Sequence, residues 1–359
     1  MAAVGSAVGL GNLFRFPALT ASYGIWFIVF YVIALFTVGL PLLYAELSFG
    51  REKSKGAGGL PVAEIPCVIN CFLVLCCYLV FFALVMRQAI SALFSVKPDL
   101  IFLIFAALTA FFCFGSAEKL SKICEVGIIF SVAVLFVLAA AGIFKNPEGR
   151  RAKVGTEELF SAGFFEAVFG QVFFSLSLSV GVMTAYGSML DRKIPLFKSA
   201  VAVCLCDFGV SLLSTAVYLC LNGSRGLTTD GLFSYPEIFS DFFGNTVGRA
   251  ATFFFFLGLS LLCLNSVIAY LKAISVFSPN QSKTASRLLA AALSVGFFLS
   301  LNGYSLLSLA DRKILPAVGL FAGAAESFFL MRRTTRLPFF FALFVPLTLS
   351  LVLIIKIFI

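Results

Sequence analysis

Histidine is missing from all 359 residues, and only 12% of them are charged. Without histidine the chain lacks the commonest transition-metal ligand and the one side chain whose ordinary pKa lies near neutral pH. Ten cysteines are present, yet they make no CxxC pair. Cys67, Cys71, Cys76, Cys77, Cys204, Cys206 and Cys263 lie inside apolar runs, where cysteine reads as a small hydrophobe. With no metal cluster and no nucleophile motif, nothing points to an enzyme. The scarcity of charge excludes a soluble domain, since 61% of the residues are hydrophobic. A formal charge of +9 in a soluble protein would suggest nucleic acid. Aromatic platforms set in a basic groove are missing, so no nucleic-acid partner is expected. A secretory leader is not read either, because the only basic residue near the start, Arg15, follows the apolar stretch instead of preceding it.

What is there is a succession of apolar runs long enough to cross a bilayer. After a first segment over residues 5–17, runs fall near 25–47, 65–93, 100–114 and 126–144. A polar turn is expected over 116–122 and a mixed-charge loop over 145–163. Further runs fall near 164–186 and 200–221, then a long loop, then 251–277, 288–301, 314–329 and 337–358. This predicts an all-α membrane protein of about eleven transmembrane helices. Lysines and arginines at 51–55, 119–122, 192–198, 283–287 and 332–336 fall on one side if the runs alternate. That side is cytoplasmic and carries the N-terminus. Lys145, Arg150, Arg151 and Lys153 dissent from this rule.

Two of these segments are interrupted. In the first, Gly5, Gly9 and Gly11 are followed by Asn12, Arg15 and Pro17. Glycine weakens a helix and proline removes a donor, so one continuous helix is not expected there. In the sixth, Ser175, Ser177, Ser179 and Gly181 alternate and cannot form a single helical stripe. Taken alone, such residues serve close helix contact as well as an unwound hinge. Broken backbone at membrane depth is tolerated only inside protein or beside a wet cavity. Interrupted segments five spans apart are the mark of an inverted-repeat, ion-coupled transporter. A single domain over residues 1–359 is expected, with repeats near 1–144 and 164–330 and an extra helix near 337–358.

Asp207 lies inside an apolar run. A carboxylate there is costly, and it reads as a functional site with a cation partner before it reads as a helix-to-helix hydrogen bond. Hard cations take oxygen from carboxylates, carbonyls, amides and hydroxyls. Ala7, Asn12, Ser175 and Asp207 supply that set.

The stretch Ser6-Ala-Val-Gly-Leu-Gly-Asn-Leu-Phe-Arg-Phe-Pro17 closely resembles the first-helix signature of the neurotransmitter:sodium symporter family, in its bacterial form. The sixth-segment serines resemble that family's sixth helix. The resemblance implies a 5+5 inverted-repeat fold with helices 1 and 6 unwound. It implies a first sodium site from the Ala7 carbonyl, Asn12, Ser175 and Asp207. A second would use the carbonyls of Gly5, Val8 and Leu262 with Asn265 and Ser266. The substrate carboxylate would meet the amides near Leu10 and Gly11, and the Tyr78 hydroxyl. For the amides there is a separate physical ground, since helix N-termini bind anions. The substrate amino group would meet carbonyls at Ala7, Phe174 and Ser175, with Ser177 and Ser266 close by. Val74, Phe174, Val180 and Tyr270 would line the side-chain pocket. Without the resemblance, Tyr78 reads as a packing residue. Arg15 and Asp311 resemble an outer gate pair, although Asp311 could equally pair with its neighbour Arg312.

Ser211, Tyr31, Gln171 and Ser175 match chloride contacts of some members. Asp207 already places a negative charge one helical turn from Ser211, and two anions beside one sodium would leave charge uncompensated. Chloride independence is therefore expected. The sequence departs from the family pattern at Asn265, where threonine is usual, at Lys272, and between Asp311 and Pro316, where about one turn of helix is missing. The first segment has too few residues before its break to cross a bilayer, so either the true start lies upstream or the gene is decayed.

The resulting expectation is sodium-coupled symport of a neutral amino acid, or a related amine, by alternating access. The setting is a multi-pass plasma-membrane protein, in a bacterial inner membrane. A non-transporting sensor or inactive relative is the alternative. Sodium is the required ion, the bilayer and the substrate are the partners, and the oligomeric state stays open.

Overall fold

A computed structural model of the chain describes Gly9 and residues 11–53, 65–94, 117–145, 159, 161–191, 193–221, 235–276, 287 and 292. The expected runs near 100–114, 314–329 and 337–358, and all of 288–301 except residue 292, lie outside these residues. Every described element is helical. A π-helical turn, Gly11–Arg15, leads into α1 (Phe16–Tyr23), with Pro17 in its first turn, where a missing N–H costs nothing. Gly24 then turns the chain at φ 65°. Next come α2 (Ile25–Ala34), a second π turn (Leu35–Gly39), α3 (Leu40–Lys53) and α4 (Ile65–Leu93). They are followed by α5 (Ala117–Lys145), α6 (Ala162–Ser175), α7 (Val182–Met189) and α8 (Leu196–Leu221). The last described helices are α9 (Tyr235–Phe243) and α10 (Asn245–Val276).

Among the described residues five helices are long and apolar enough to cross a membrane, the first running unbroken over Ile25–Glu52. The molecule is a multi-pass membrane protein. Two expectations need correction. The residues read as a polar turn over 116–122 are helical from Ala117 onward, because the helix that crosses a membrane does not have to end where its apolar run ends. The stretch read as a plain loop before the eighth run contains α9.

The chain divides into two compact units. The first takes Met1–Phe30, Phe81–Gln171 and Cys206–Ser266. Its packing is aromatic at one end, where Phe16 lies edge-on to Phe27 at 5.2 Å and Phe164 meets Tyr23 at 5.2 Å and Phe30 at 5.5 Å. Tyr235 of α9 stacks on Phe255 of α10 at 4.8 Å. Lys145, the last residue of α5, donates to the Phe242 carbonyl near the C-terminal end of α9, and its ammonium lies 4.8 Å from the Phe242 ring centroid. A cation there complements the helix dipole. Ser131 of α5 donates to the Gly258 carbonyl of α10 at 2.9 Å.

The second unit takes Tyr31–Val80, Val172–Leu205 and Val267–Ile359. Among its described residues α3 and α7 approach closely, where glycines let two backbones meet. A Cβ placed on Gly50 would lie 1.9 Å from the Thr184 carbonyl oxygen, and one on Gly187 would lie 2.2 Å from that of Leu47. Arg51 of α3 donates to the carbonyls of Asp191 and Ile194, at 3.0 and 2.9 Å, in the α7–α8 connection.

Candidate functional site

In the first unit the site is built on the π turn. Widening a helical turn frees backbone carbonyls, and buried carbonyls need donors. Gln171 Nε2 donates to the Gly11 carbonyl at 3.0 Å, and Ser214 Oγ donates to the Leu13 carbonyl at 3.0 Å. Between them Asn12 is fully buried and turned toward α8. Its Nδ2 donates to Asp207 Oδ1 at 2.7 Å, to the Asp207 carbonyl at 3.0 Å and to Ser211 Oγ at 3.0 Å. Its Oδ1 accepts from the Gly9 N–H at 3.2 Å. Asp207 and Ser211 are likewise fully buried. The result is a water-excluded cluster of carboxylate, carboxamide, hydroxyl and backbone carbonyl carrying one formal negative charge. That donor set suits a hard monovalent cation and offers nothing to a soft metal.

Leu262, Asn265 and Ser266 lie within one turn of α10, all buried, and Ser266 Oγ donates to the Leu262 carbonyl at 3.2 Å. A hydroxyl bonded back to the preceding turn keeps both oxygens on one side of the helix. Gly5, Ala7, Val8, Leu10 and Asp311 lie outside the described residues. Arg15 is described and ends the π turn. A Cβ on Gly170 would come 3.3 Å from its guanidinium, so α6 and the π turn meet at the arginine head.

In the second unit the site is built on the break between α6 and α7. Residues 176–181 leave the helix, with Ser177 and Ser179 at φ 51° and 61° and Gly181 at φ 75°. Left-handed backbone at two serines is held only by partners around it. The Leu178 N–H reaches back to the Phe173 carbonyl at 3.0 Å. The Ser179 N–H donates to Glu46 Oε1 at 2.9 Å. Asn70 Nδ2 of α4 points to the Ser179 carbonyl at 3.5 Å, so helices on two sides engage the backbone of one residue. Just before the break, the Ser175 and Tyr31 hydroxyls share a hydrogen bond of 2.9 Å. Val74, Tyr78, Phe174, Ser175, Ser177, Val180 and Tyr270 all belong to this unit, and all but Phe174 are buried. The Tyr78 and Tyr270 rings are 5.3 Å apart. Gly11, Asn12, Asp207 and Ser266 belong to the first unit.

Sequence reasoning did not single out Glu46, although the signal was present. It is a lone acid in an apolar run, the feature that drew attention to Asp207. Glu46 is fully buried. Glu46→Ala leaves the Ser179 N–H without its oxygen, which costs about 1–3 kcal/mol. We expect a lowered thermal midpoint in detergent, with Glu46→Gln, which keeps an acceptor, falling between variant and wild type.

Residues 1–96 match the model of the sodium:neurotransmitter symporter family. The chain is 29% identical over 280 residues to the uncharacterized sodium-dependent transporter YhdH of Bacillus subtilis, covering 67% of this chain and 58% of that one. It is 27% identical over 265 residues to an uncharacterized sodium-dependent transporter of Methanocaldococcus jannaschii, covering 60% and 52%. The chain is similar to the sodium:neurotransmitter symporter family over residues 1–96 and to these two sodium-dependent transporters over most of its length. The chain spans between half and three-fifths of the length of those two relatives. Its fold is that of the crystal structure of MhsT in complex with L-phenylalanine, at a TM-score of 0.75 and 20% identity, over 99% of this chain and 96% of that one. The family is one of symporters, not of enzymes.

Proposed function

We propose that this chain is a member of the sodium:neurotransmitter symporter family and carries a neutral amino acid inward by sodium-coupled alternating access. The reading rests above all on the buried cluster of Asn12, Asp207 and Ser211, in which a membrane carboxylate is gathered with oxygens suited to a cation. Asp207 and Asn12 serve the first sodium, with Ser175 and the Ala7 carbonyl. Leu262, Asn265 and Ser266 serve the second, with the carbonyls of Gly5 and Val8. Tyr78 holds the substrate carboxylate, together with the amides near Leu10 and Gly11. Ser177 and the carbonyls of Phe174 and Ser175 hold its amino group. Among the pocket residues Val74, Phe174, Val180 and Tyr270 none is charged, which disfavours acidic and basic side chains. The solved neighbour's complex with L-phenylalanine supports a neutral amino acid. Arg15 and Asp311 form the outer gate. The location is the plasma membrane, a bacterial inner membrane, with the N-terminus in the cytoplasm.

Asp207 also supplies the negative charge that chloride would otherwise bring, so chloride is dispensable. The test is uptake of pooled labelled neutral amino acids into proteoliposomes, with and without an inward sodium gradient. Uptake is expected only with sodium, and unchanged when gluconate replaces chloride. Equal uptake without sodium would overturn the coupling, and collapse in gluconate would overturn the role given to Asp207. Binding without uptake would turn the reading to a membrane sensor.

A further inference from the structure

Between Val126 and Phe144 the only polar side chain of α5 is Ser131, and it is buried against α10. Its hydroxyl carries one hydrogen and meets two carbonyls. One is that of Gly127 in its own helix at 2.7 Å, the other that of Gly258 across the interface at 2.9 Å. The helices come close here because Gly258 has no side chain. A Cβ on Gly258 would lie 3.2, 3.3 and 3.4 Å from Ser131 Oγ, Cα and Cβ, and one on Gly127 would lie 3.1 Å from Leu261 Cβ. Small residues on both helices hold α5 against this turn of α10.

The Gly258 carbonyl leads directly to the residues assigned to the second sodium. Within α10 it also accepts from the N–H four residues on, that of Leu262. A carbonyl oxygen has two lone pairs, so both donors are accommodated. The Leu262 carbonyl in turn accepts from Ser266 Oγ at 3.2 Å. Gly258, Leu262 and Ser266 follow one another at four-residue steps and run along one side of α10. Hydroxyl, peptide and hydroxyl therefore form one mutually polarised column from α5 to two of the ion's oxygens. All of it lies inside one compact unit.

We infer that Ser131 is a positioning residue for the second sodium, its cross-helix hydrogen bond to Gly258 fixing the height and rotation of the α10 turn that presents the Leu262 carbonyl and Ser266. It acts through α10 and not by contact with the ion. The inference rests on the second-sodium reading above and deepens it. Ser131→Ala removes the cross-helix donor and orphans nothing, since both carbonyls keep their helical N–H partners. The fold is kept while the ion's oxygens lose their register.

The experiment is titration of the purified full chain with sodium and with lithium by calorimetry, beside the melting temperature without either ion. Losing one net hydrogen bond is expected to weaken sodium about fivefold in Ser131→Ala. The sodium-over-lithium ratio should fall with it, because a looser cage discriminates ion size less. Ser131→Thr keeps the hydroxyl and is expected to restore both. Ser260→Ala is the control, since Ser260 is also buried but donates within its own helix, to the Phe256 carbonyl at 2.7 Å. It should lose as much ion-free stability as Ser131→Ala and keep wild-type sodium binding and selectivity. Wild-type sodium affinity in Ser131→Ala, with sodium weakened in Ser266→Ala, would overturn the inference alone. So would equal weakening in Ser131→Ala and Ser260→Ala, or no recovery in folded Ser131→Thr. If Ser266→Ala itself binds sodium as wild type does, the second-sodium reading falls and takes this inference with it.

Discussion

Sodium-driven uptake is expected to fall to the level of protein-free vesicles in Asp207→Ala. The carboxylate is fully buried on α8 and accepts from Asn12 Nδ2 at 2.7 Å, a short, charge-assisted hydrogen bond. Its charge and its geometry both contribute to the cluster. A unit charge about 4 Å from a cation, at an effective dielectric near 20, is worth about 4 kcal/mol. That corresponds to about a thousandfold in sodium affinity. Alanine also leaves the Asn12 amide facing a void, so a folding loss must be separated from a binding loss. Asp207→Asn does this, since it keeps the shape and one oxygen while removing the charge. Uptake should be lost in Asp207→Asn at unchanged thermal stability, with sodium binding by isothermal calorimetry weakened at least about a hundredfold. Normal sodium affinity in Asp207→Asn would mean the carboxylate is only a helix-to-helix hydrogen bond.

Gly187→Ala is expected to be among the most damaging substitutions outside the ion and substrate residues. The added carbon would lie 2.2 Å from the Leu47 carbonyl oxygen and 2.9 Å from two more backbone atoms of the same residue. Backbone cannot rotate away as a side chain can, so α3 and α7 must part. Overpacking of this kind reaches about 3 kcal/mol or more. Because Gly181 caps the start of α7, any displacement of that helix pulls on the turn carrying Ser177 and Ser179. Purified Gly187→Ala should show a lowered melting temperature and an aggregated fraction on size exclusion. Gly209→Ala on α8 is the control, since a carbon there would meet nothing within 4 Å. Replacing an exposed-space helical glycine by alanine gains up to about 1 kcal/mol, so that variant should match or exceed wild type. Equal behaviour of the two variants would mean that the α3–α7 approach is not as close as described.

Several features were legible from residue types alone. Membrane helices show in apolar runs, and both breaks show in glycine, proline and alternating serine, because those residues change local backbone energetics. Asp207 was legible because an acid in a long apolar run conflicts with its surroundings. Glu46 carried the same conflict and went unread amid its neighbours Ala45 and Leu47, close to the polar end of its run. Its partner, the Ser179 N–H, lies 133 positions away. The Tyr78–Tyr270 pairing was illegible for a related reason, since no local pattern reports a contact between residues 192 positions apart. Helix ends were the weakest part of the reading. Glu118, Lys119 and Lys122 look like a turn in a hydropathy trace, yet they belong to α5.

The length of α10 reaches beyond the protein itself. Its 32 residues make a rod of about 48 Å at 1.5 Å per residue, against a hydrocarbon layer of about 30 Å. α4 and α5, at 29 residues each, overshoot as well. Their ends stand among headgroups or the helices lean, and both adjustments depend on acyl-chain length. Bilayer thickness therefore acts on this molecule as a physical variable, comparable to salt or temperature, that sets how its longest helices are seated.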